Sequence, residues 1–338
     1  MALFSLDDFL QAEREEQLHV TEREEYSAFS LNVRLGRLYR RREVRAATMP
    51  ETEMSQEQFL AEICEEVPLQ GGVVARAGDF YLWQPVEELS LGEGLGGQVT
   101  SRSSWARLGV RVDSVSDAYF GKYSTTRRWK PLCTLKTWTD VLLKQGDALG
   151  QLFVNDGQDY CSDGHLQRMV AAGELVLRRE GRTLTVSDLC FDHGMVLTMG
   201  ENVQIYKKGV IEPGNSIEKH FTKGELGRTI PNFFRQGTFF LSASAEHVEI
   251  PCGYAGYVVE REPWGMSIPF HAHSNALYVG PVPVFQGRIT FENTMIIDGY
   301  IAPGMMQSKL LLVPLRSPIN GGASSRYNNQ KGATLSRL

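Results

Sequence analysis

The sequence contains few cysteines, and their spacing shows no pairing pattern. There are five of them, without a C-x-x-C pair: Cys64, Cys133, Cys161, Cys190 and Cys252. An odd number of widely separated cysteines argues against a disulfide framework and against a zinc ribbon. We therefore expect the protein to work in a reducing compartment, the cytoplasm.

Long apolar runs and an excess of basic residues are also missing. No run approaches the roughly 18 apolar residues that mark a membrane-spanning helix. The first residues, MALFSLDDFLQAEREEQL, are acidic where a signal peptide is basic and apolar. The formal net charge is -5, which gives no electrostatic basis for wrapping a nucleic-acid backbone. We expect neither a membrane nor a nucleic-acid partner, so any anionic ligand must meet a local cluster of cations.

The chain has 338 residues, whereas domains cluster at about 100–200. An internal repeat accounts for this length. The stretch GDFYLWQPVEELSLGEGLGGQVTSRSSWAR, from Gly78, aligns without a gap with GTFFLSASAEHVEIPCGYAGYVVEREPWGM, from Gly237. Matched pairs include Phe80 with Phe239, Leu82 with Leu241, Glu87 with Glu246 and Trp105 with Trp264. The sequence therefore predicts two copies of one domain, residues 1–157 and 158–338.

Each copy is rich in predicted strands. Alternating or apolar runs such as DFYLWQ, GQVTS, TFFLSA, RITFEN and KLLLVPL are separated by Gly, Pro and Asn, at the spacing of a barrel or sandwich. Each copy also opens with one amphipathic, helix-like stretch, SLDDFL in the first and CSDGHL in the second. The second helix is expected to end at Gly173, before a strand.

The stretch SRSSWARLG, Ser101 to Gly109, combines hydroxyl and guanidinium groups at close spacing. Short donors and planar guanidiniums suit phosphate oxygens. An exposed polar turn is the alternative. In the second copy, Glu262, Pro263 and Met266 stand where the first has Ser103, Ser104 and Arg107. Because the tryptophan persists while the polar groups do not, we expect Trp105 to be core and the polar groups to serve another purpose.

Glu292 lies inside RITFEN, an otherwise β-forming run. A carboxylate there is costly unless it is paired or solvated. It can act as a general base that takes a proton from water and returns it to a leaving group. The alternative is an outward-facing glutamate on an edge strand. Aligning PLCTLK, from Pro131, with GRITFE, from Gly287, places Lys136 at the matching position of the first copy.

Two further motifs are discounted. GEGLGG, Gly92 to Gly97, satisfies G-x-G-x-x-G but leads into a strand, whereas a dinucleotide site requires a helix there. HVEIPC, His247 to Cys252, mimics fragments of a zinc-deaminase signature but lacks its second cysteine. We therefore expect a turn at the first motif and no zinc at the second.

Three stretches resemble the dCTP deaminases of the dUTPase-like β fold. SRSSWARLG is similar to the phosphate motif of that family, GRITFEN to its catalytic strand, and RYNNQKGATLSRL, from Arg326, to the tail that folds over the triphosphate. The resemblance implies a mainly β chain made of two tandem dUTPase-like, dCTP deaminase-like β-barrels (distorted jelly rolls), each with a short N-terminal helix. The first barrel keeps the phosphate motif, while the second keeps the glutamate and the tail.

Active sites of this family lie between neighbouring subunits, so the resemblance implies a composite site shared by the two halves. Its expected catalytic residues are Glu292, Ser103 and Arg107. The expected substrate-binding residues are Arg102, Ser104, Arg326, Tyr327, Gln330, Asn275 and Ala276. The last two lie in IPFHAHSNALYVGPVPVFQG, where the family builds its pyrimidine pocket and where His271 and His273 are further candidates. These two histidines are equally compatible with a structural pair or a stray metal site, and the family's Ile-Asp-Pro-Gly turn is missing here.

The resemblance implies hydrolytic deamination of dCTP to dUTP and ammonia, by a hydrolase that acts on a cyclic amidine C–N bond. Expected ligands are dCTP, dUTP or dTTP, with Mg2+ held by the triphosphate and no metal site on the protein. Single-copy relatives form trimers, so a homo-oligomer such as a trimer of duplicated chains is expected. A chain that folds back to build one site alone is a further possibility. The alternatives in function are a dUTPase, a bifunctional enzyme that yields dUMP, and an inactive nucleotide-binding regulator.

Overall fold

The computed structural model describes residues 2, 4–21, 30–42, 56–114, 130–156, 160–227, 232–260, 269–273, 277–279, 285–317, 331, 333 and 335. The predicted boundary between the two copies, 157/158, lies outside the described residues. It remains a prediction.

The first half contains a closed β-barrel. Its described elements are α1 (Leu6–Arg14), β1 (Leu18–Val20), β2 (Leu31–Arg41), α2 (Gln56–Ile63), β3 (Cys64–Val67), β4 (Val73–Ala75), β5 (Phe80–Pro85), β6 (Leu89–Leu91), β7 (Gly96–Ser101), α3 (Ser103–Ala106), β8 (Val110–Ser114), β9 (Cys133–Thr137), β10 (Val141–Leu143) and β11 (Ala148–Asn155). The strand order β11-β7-β8-β9-β5-β2 closes on itself because β11 also pairs with β2. Helix α2 was not expected from the sequence.

The second half is built around a ten-stranded sheet. Its described elements are α4 (Asp163–Ala172), β12 (Val176–Arg179), β13 (Arg182–Thr183), β14 (Met195–Tyr206), β15 (Phe221–Glu225), β16 (Asn232–Phe234), β17 (Phe239–Ile250), β18 (Tyr254–Glu260), β19 (Phe270–Ala272), β20 (Leu277–Val279), β21 (Phe285–Met295), β22 (Gly299–Ile301) and β23 (Met306–Pro314). Strand β14 is central, with β17 on one side and β23 on the other. The mainly β fold expected from the sequence is confirmed.

The predicted helices begin and end where their capping residues require. Helix α1 starts after Ser5, which forms a reciprocal capping box with Asp8. Helix α4 starts after Ser162, whose side chain accepts a hydrogen bond from the backbone of His165. It stops at Gly173, which has a φ of 74° in the left-handed region that favours glycine. These local signals account for the correct prediction of both helices.

The strand pairings of the first half recur in the second. Strand β4 pairs with β10, and β16 pairs with β22 in the same antiparallel way. The buried glutamates repeat as well. The backbone N–H of Arg34 donates to Glu87, and that of Thr198 donates to Glu246, both at 3.0 Å. This recurrence is what a duplicated chain would give.

The ladders correct one detail of the sequence alignment. Leu82 lies opposite Thr134 on β9, and its matched residue Leu241 lies opposite Glu292 on β21. Thr134 is therefore the structural counterpart of Glu292, whereas the alignment of short segments assigns that position to Lys136. Lys136 lies opposite Phe80, two residues further along β9. No carboxylate stands at either first-half position, so the difference between the halves remains.

The largest apolar core crosses the predicted boundary. Barrel residues such as Trp83, Trp105 and Leu108 form one cluster with Leu241 and Phe239 of β17. A separate core lies wholly in the second half, between α4 and the sheet. The two halves are thus joined by buried apolar surface, which is the dominant favourable term in folding.

Candidate active site

Glu292 occupies a central position in its sheet. Its strand, β21, pairs with β17 on one side and with β19 on the other. The side chain is 1% exposed. The alternative of an outward-facing edge-strand glutamate is therefore wrong. Burial of a carboxyl group in a strand is energetically costly, so such a residue is a candidate for a functional site.

The strand register fixes the direction in which Glu292 points. In an antiparallel ladder, directly opposed residues share one face of the sheet. Glu292 opposes Leu241, and Leu241 packs into the core shared with the first half. Its neighbour Phe291 opposes Ser242 and packs into the second-half core instead. Glu292 therefore lies on the face of the second half that meets the first half.

The predicted phosphate motif forms the short helix α3, between β7 and β8. Trp105 is 2% exposed and belongs to the barrel core, as expected. Ser104 and Arg107 are buried as well, each at 5% exposure. The hydroxyl oxygen of Ser104 has no hydrogen-bond partner in the described part of the chain. Because buried polar atoms are nearly always partnered, this hydroxyl suits a ligand or water, which favours a binding role over an exposed polar turn.

Glycine is required directly after this motif. Gly109 has a φ of 82°, and a Cβ placed on it would approach Cγ2 of Thr139 at 2.8 Å. The hydroxyl of Thr139 donates to the carbonyl oxygen of Leu108. The backbone N–H of Trp138 donates to the carbonyl oxygen of Gly109 at 2.9 Å. The segment behind Arg107 is therefore fixed against residues 138 and 139.

Direct contacts connect this segment to Glu292 across the boundary between the halves. The Trp138 ring stacks on His273 with ring centroids 3.6 Å apart and an interplanar angle of 17°. The backbone N–H of His273 donates to the carbonyl oxygen of Glu292 at 2.6 Å. The described contacts therefore run from Gly109 through Trp138 and His273 to Glu292. The motif and the glutamate therefore lie at the same boundary between the halves, where Trp138 contacts His273. We call this boundary the junction.

Two cationic side chains of the first half, Arg111 and Lys136, lie near His273, and Arg111 is paired with Asp113. Burial lowers the pKa of His273 from 6.5 to about 2, with further contributions from Arg111, His271 and Lys136. Nζ of Lys136 also lies 5.3 Å from the Trp138 ring. The imidazole of His273 is therefore neutral at any ordinary pH. Neighbouring cations are also suited to stabilise negative charge that develops at this junction.

His271 takes a different place from His273. It opposes Thr294 on β21, and its Nδ1 atom contacts the carboxylate of Glu260. Its ring centroid lies 6.2 Å from that of His273. His271 therefore contacts the Glu260 carboxylate, whereas His273 belongs to the stacked contact with Trp138. Of the residues at this junction, sequence analysis missed Trp138 and Arg111, which carry no local motif.

Several predicted site residues lie outside the described part of the chain: Asn275, Ala276, Arg326, Tyr327 and Gln330, and likewise Glu262, Pro263 and Met266. Ser103 and Arg102 are described and partly buried at the start of α3. The described end of the tail returns to the boundary between the halves, since Ala333 is buried in the shared core. Lys331 and Ala333 line a groove of about 680 Å3 along β14 and β15.

Other expectations concern metals and membranes. Within the described ranges, no group of three or more His, Cys, Asp or Glu side chains is arranged to hold a metal ion. This gives no fit for a protein-bound metal, and no chemical step is assigned to one. All five cysteines are free thiols. Among the described helices, none combines the length and apolar character needed to cross a membrane.

The fold defines the class first. The chain is a mainly β, barrel-forming protein, similar over 93% of its length to the crystal structure of 2'-deoxycytidine 5'-triphosphate deaminase from Agrobacterium tumefaciens. The TM-score is 0.73, the sequence identity is 17%, and 99% of that chain is covered. At this identity, the likeness concerns the fold.

Sequence comparisons then narrow the class. A family model described as dCTP deaminase-like matches residues 4–157. The dUMP-forming dCTP deaminase of Dictyoglomus thermophilum is 35% identical over 120 residues, which is 34% of this chain and 60% of that protein. The dUMP-forming dCTP deaminase of Nocardia farcinica is 29% identical over 134 residues, 38% of this chain and 66% of that protein. The aligned regions thus span about 60% to two thirds of these relatives. The first half of the chain is thus similar to the dCTP deaminase-like family, and the fold of nearly the whole chain is similar to that of a dCTP deaminase.

Proposed function

We propose that the protein deaminates dCTP by hydrolysis, at a composite site between its two halves. One observation carries this proposal. Glu292, buried in the second half, lies on the sheet face that meets the first half, and contacts through His273 and Trp138 connect it to the phosphate motif. The family comparisons support dCTP as the substrate.

The chemistry required of Glu292 is the transfer of protons. Its carboxylate takes a proton from water, and the oxygen of that water bonds to C4 of the cytosine ring. The tetrahedral intermediate then receives the proton on its exocyclic nitrogen, and the C4–N bond breaks to release ammonia. The remaining hydroxyl proton passes to ring N3, so one water is consumed and the ring carries a carbonyl in place of the amine. A positioned general base of this kind contributes about 10²–10⁴-fold to rate.

The first half supplies groups for the triphosphate. The hydroxyl of Ser104 and the guanidinium of Arg107 are buried, and charge-assisted hydrogen bonds to phosphate oxygens are strong in a buried site. Arg102 and Ser103 stand at the start of the same turn, and Arg326, Tyr327 and Gln330 of the tail are proposed to close over the phosphates. Mg2+ is proposed as a counter-ion of the triphosphate, since the described side chains offer no metal site.

The product is the point on which two candidates differ. The sequence predicts release of dUTP. The curated relatives are named dUMP-forming, which favours a second step that removes pyrophosphate. A bifunctional enzyme that yields dUMP is therefore the second candidate. Homo-oligomerisation, with a trimer of chains as one form, remains part of the proposal.

Incubation of the purified protein with dCTP and Mg2+, followed by separation of nucleotides and an ammonia assay, tests both candidates. Ammonia with dUTP supports deamination alone, and ammonia with dUMP and pyrophosphate supports the bifunctional enzyme. Feeding dUTP directly shows whether the second step occurs by itself. Tight dCTP binding without ammonia, unchanged by Glu292→Gln, would contradict the proposal and indicate a regulator.

A further inference from the structure

The contact between Trp138 and His273 has no role in the chemistry described above. Each residue comes from a different half of the chain, and the rings stack almost in parallel at 3.6 Å. Each is attached by its backbone to one component of the composite site. The backbone N–H of Trp138 donates a hydrogen bond to the carbonyl oxygen of Gly109, two residues after Arg107. The backbone N–H of His273 donates one to the carbonyl oxygen of Glu292.

We propose that Trp138 and His273 form a positioning pair that holds Arg107 and Glu292 at a working separation within one chain. This inference rests on the proposed function, since it concerns the same site. It adds two residues that act through others and assigns the complete site to a single polypeptide.

The geometry of the attachments supports a positioning role. The first-half side is rigid because Thr139 is fully buried and its hydroxyl donates to Leu108. On the second-half side, His273 extends the pairing of β19 with β21 by one further backbone hydrogen bond. Because both segments are anchored, the distance between the stacked rings sets the distance between the neighbouring residues Arg107 and Glu292. Misplacement of reacting groups by about 1 Å can cost roughly 10²-fold in rate.

A second observation points to a ligand at this pair. The Nε2 atom of His273 is buried and has no hydrogen-bond partner in the described part of the chain. Lys136 and Arg111 lie close enough to influence the ring. A neutral imidazole with a buried, unpartnered Nε2 beside two cations offers one more polar contact that a bound nucleotide can satisfy.

The pair also accounts for a site formed within one polypeptide. The contacts from Gly109 to Glu292 join the two halves directly, and the tail residues Ala333 and Leu335 pack against the core that the halves share.

The test compares Trp138→Ala and His273→Ala with variants that preserve stacking, Trp138→Phe and His273→Phe. Each alanine variant is expected to lower kcat for dCTP by roughly 10²-fold, with a smaller change in KM. The phenylalanine variants should recover most of kcat. The double alanine variant should be no slower than either single variant, because the pair acts as a unit.

A matched control removes an aromatic contact that lies away from the proposed site. Phe233 is 54% exposed and packs against Tyr300 with ring centroids 5.3 Å apart. Phe233→Ala removes this pair and should leave kcat unchanged. Melting temperatures of all variants separate lost positioning from lost folding. Wild-type kcat in Trp138→Ala, or additive losses in the double variant, would overturn the positioning role.

Mixing tests the assignment to one chain. Glu292→Gln and Arg107→Ala proteins, unfolded together and refolded, should remain as inactive as either alone. Recovered activity would show that halves of different chains share a site and would overturn this part. A wild-type protein without any turnover contradicts the proposed function itself, whereas an active wild type with unaffected Trp138→Ala contradicts only the positioning pair.

Discussion

The two halves share strand pairings and a buried glutamate but differ in the polar groups that they carry. The first half matches the dCTP deaminase-like family model over residues 4–157 and carries the hydroxyl and guanidinium groups of α3. The second half carries Glu292 on β21, where the first has Thr134 in the same register. Framework residues such as Glu87 and Glu246 persist in both. Residues that support the fold are thus shared by the halves, whereas the proposed catalytic and binding residues are not. Neither half holds the complete set of proposed groups.

The largest effect should come from the matched strand positions. Glu292→Gln removes the proposed base while keeping size and hydrogen-bonding capacity, and we expect kcat for dCTP to fall about 10³-fold. Thr134→Val alters the equivalent position of the first half and should leave kcat near the wild-type value. Steady-state release of ammonia measures both. Comparable losses in the two variants would remove the assigned difference between the halves.

The phosphate motif gives the next largest effect. Arg107→Lys keeps the charge but loses the planar fork, and we expect kcat/KM for dCTP to fall about 10- to 100-fold. The second half has Met266 at the matching position, and Met266→Leu is expected to change kcat/KM little. Titration with dCTP and with deoxycytidine separates phosphate binding from base binding. Equal losses for both ligands would contradict a role of Arg107 in holding phosphates.

The buried glutamates test the shared framework. Glu87 accepts from the backbone and Nε of Arg34, and Glu246 accepts from the backbone and hydroxyl of Thr198. Each is fully buried. Glu87→Gln and Glu246→Gln should each lower the free energy of unfolding by about 1–3 kcal/mol, since both weaken charge-assisted hydrogen bonds. Urea denaturation measures this. A loss confined to one variant would break the equivalence of the two positions.

The last effect is visible only in acid. The pKa of His273 is lowered to about 2 chiefly by burial, while the unfolded chain takes up the proton near 6.5. The stability contributed by the neutral ring is therefore complete above about pH 6.5 and declines as the pH falls towards 2. Between pH 6.5 and 5 the expected loss is about 2 kcal/mol. His273→Phe should flatten this part of the stability profile, and an unchanged slope would contradict the burial of His273.

The sequence predicted the elements of the fold well, because their signals are local. Caps at Ser5 and Ser162, the stop at Gly173 and the apolar runs of β5 and β17 each act within a few residues. The strand that carries Glu292 was found for the same reason. The short segments around β9 were misaligned by two residues. A slip of two leaves every side chain on its own face of a strand, so hydrophobic alternation does not detect it.

The junction itself was beyond local reasoning. Trp138 lies just after β9 in a segment with no motif, and its partner His273 is far away in the sequence and belongs to the other half. Only the packing of the two halves brings them together. His273 was a candidate from the sequence, but its neutral state results from burial and from Arg111, which no spacing rule connects to it.

The core that crosses between the halves has a consequence for how the chain exists. Ile211, Phe239 and Leu241 complete the apolar interior of the first barrel. If the halves were separate polypeptides that did not associate, these side chains would be exposed to water and the apolar burial that they contribute would be lost. Two halves joined in one polypeptide do not have to carry the same residues at matching positions. Permanent attachment in one chain lets the two halves carry different chemical groups without having to recognise a separate partner.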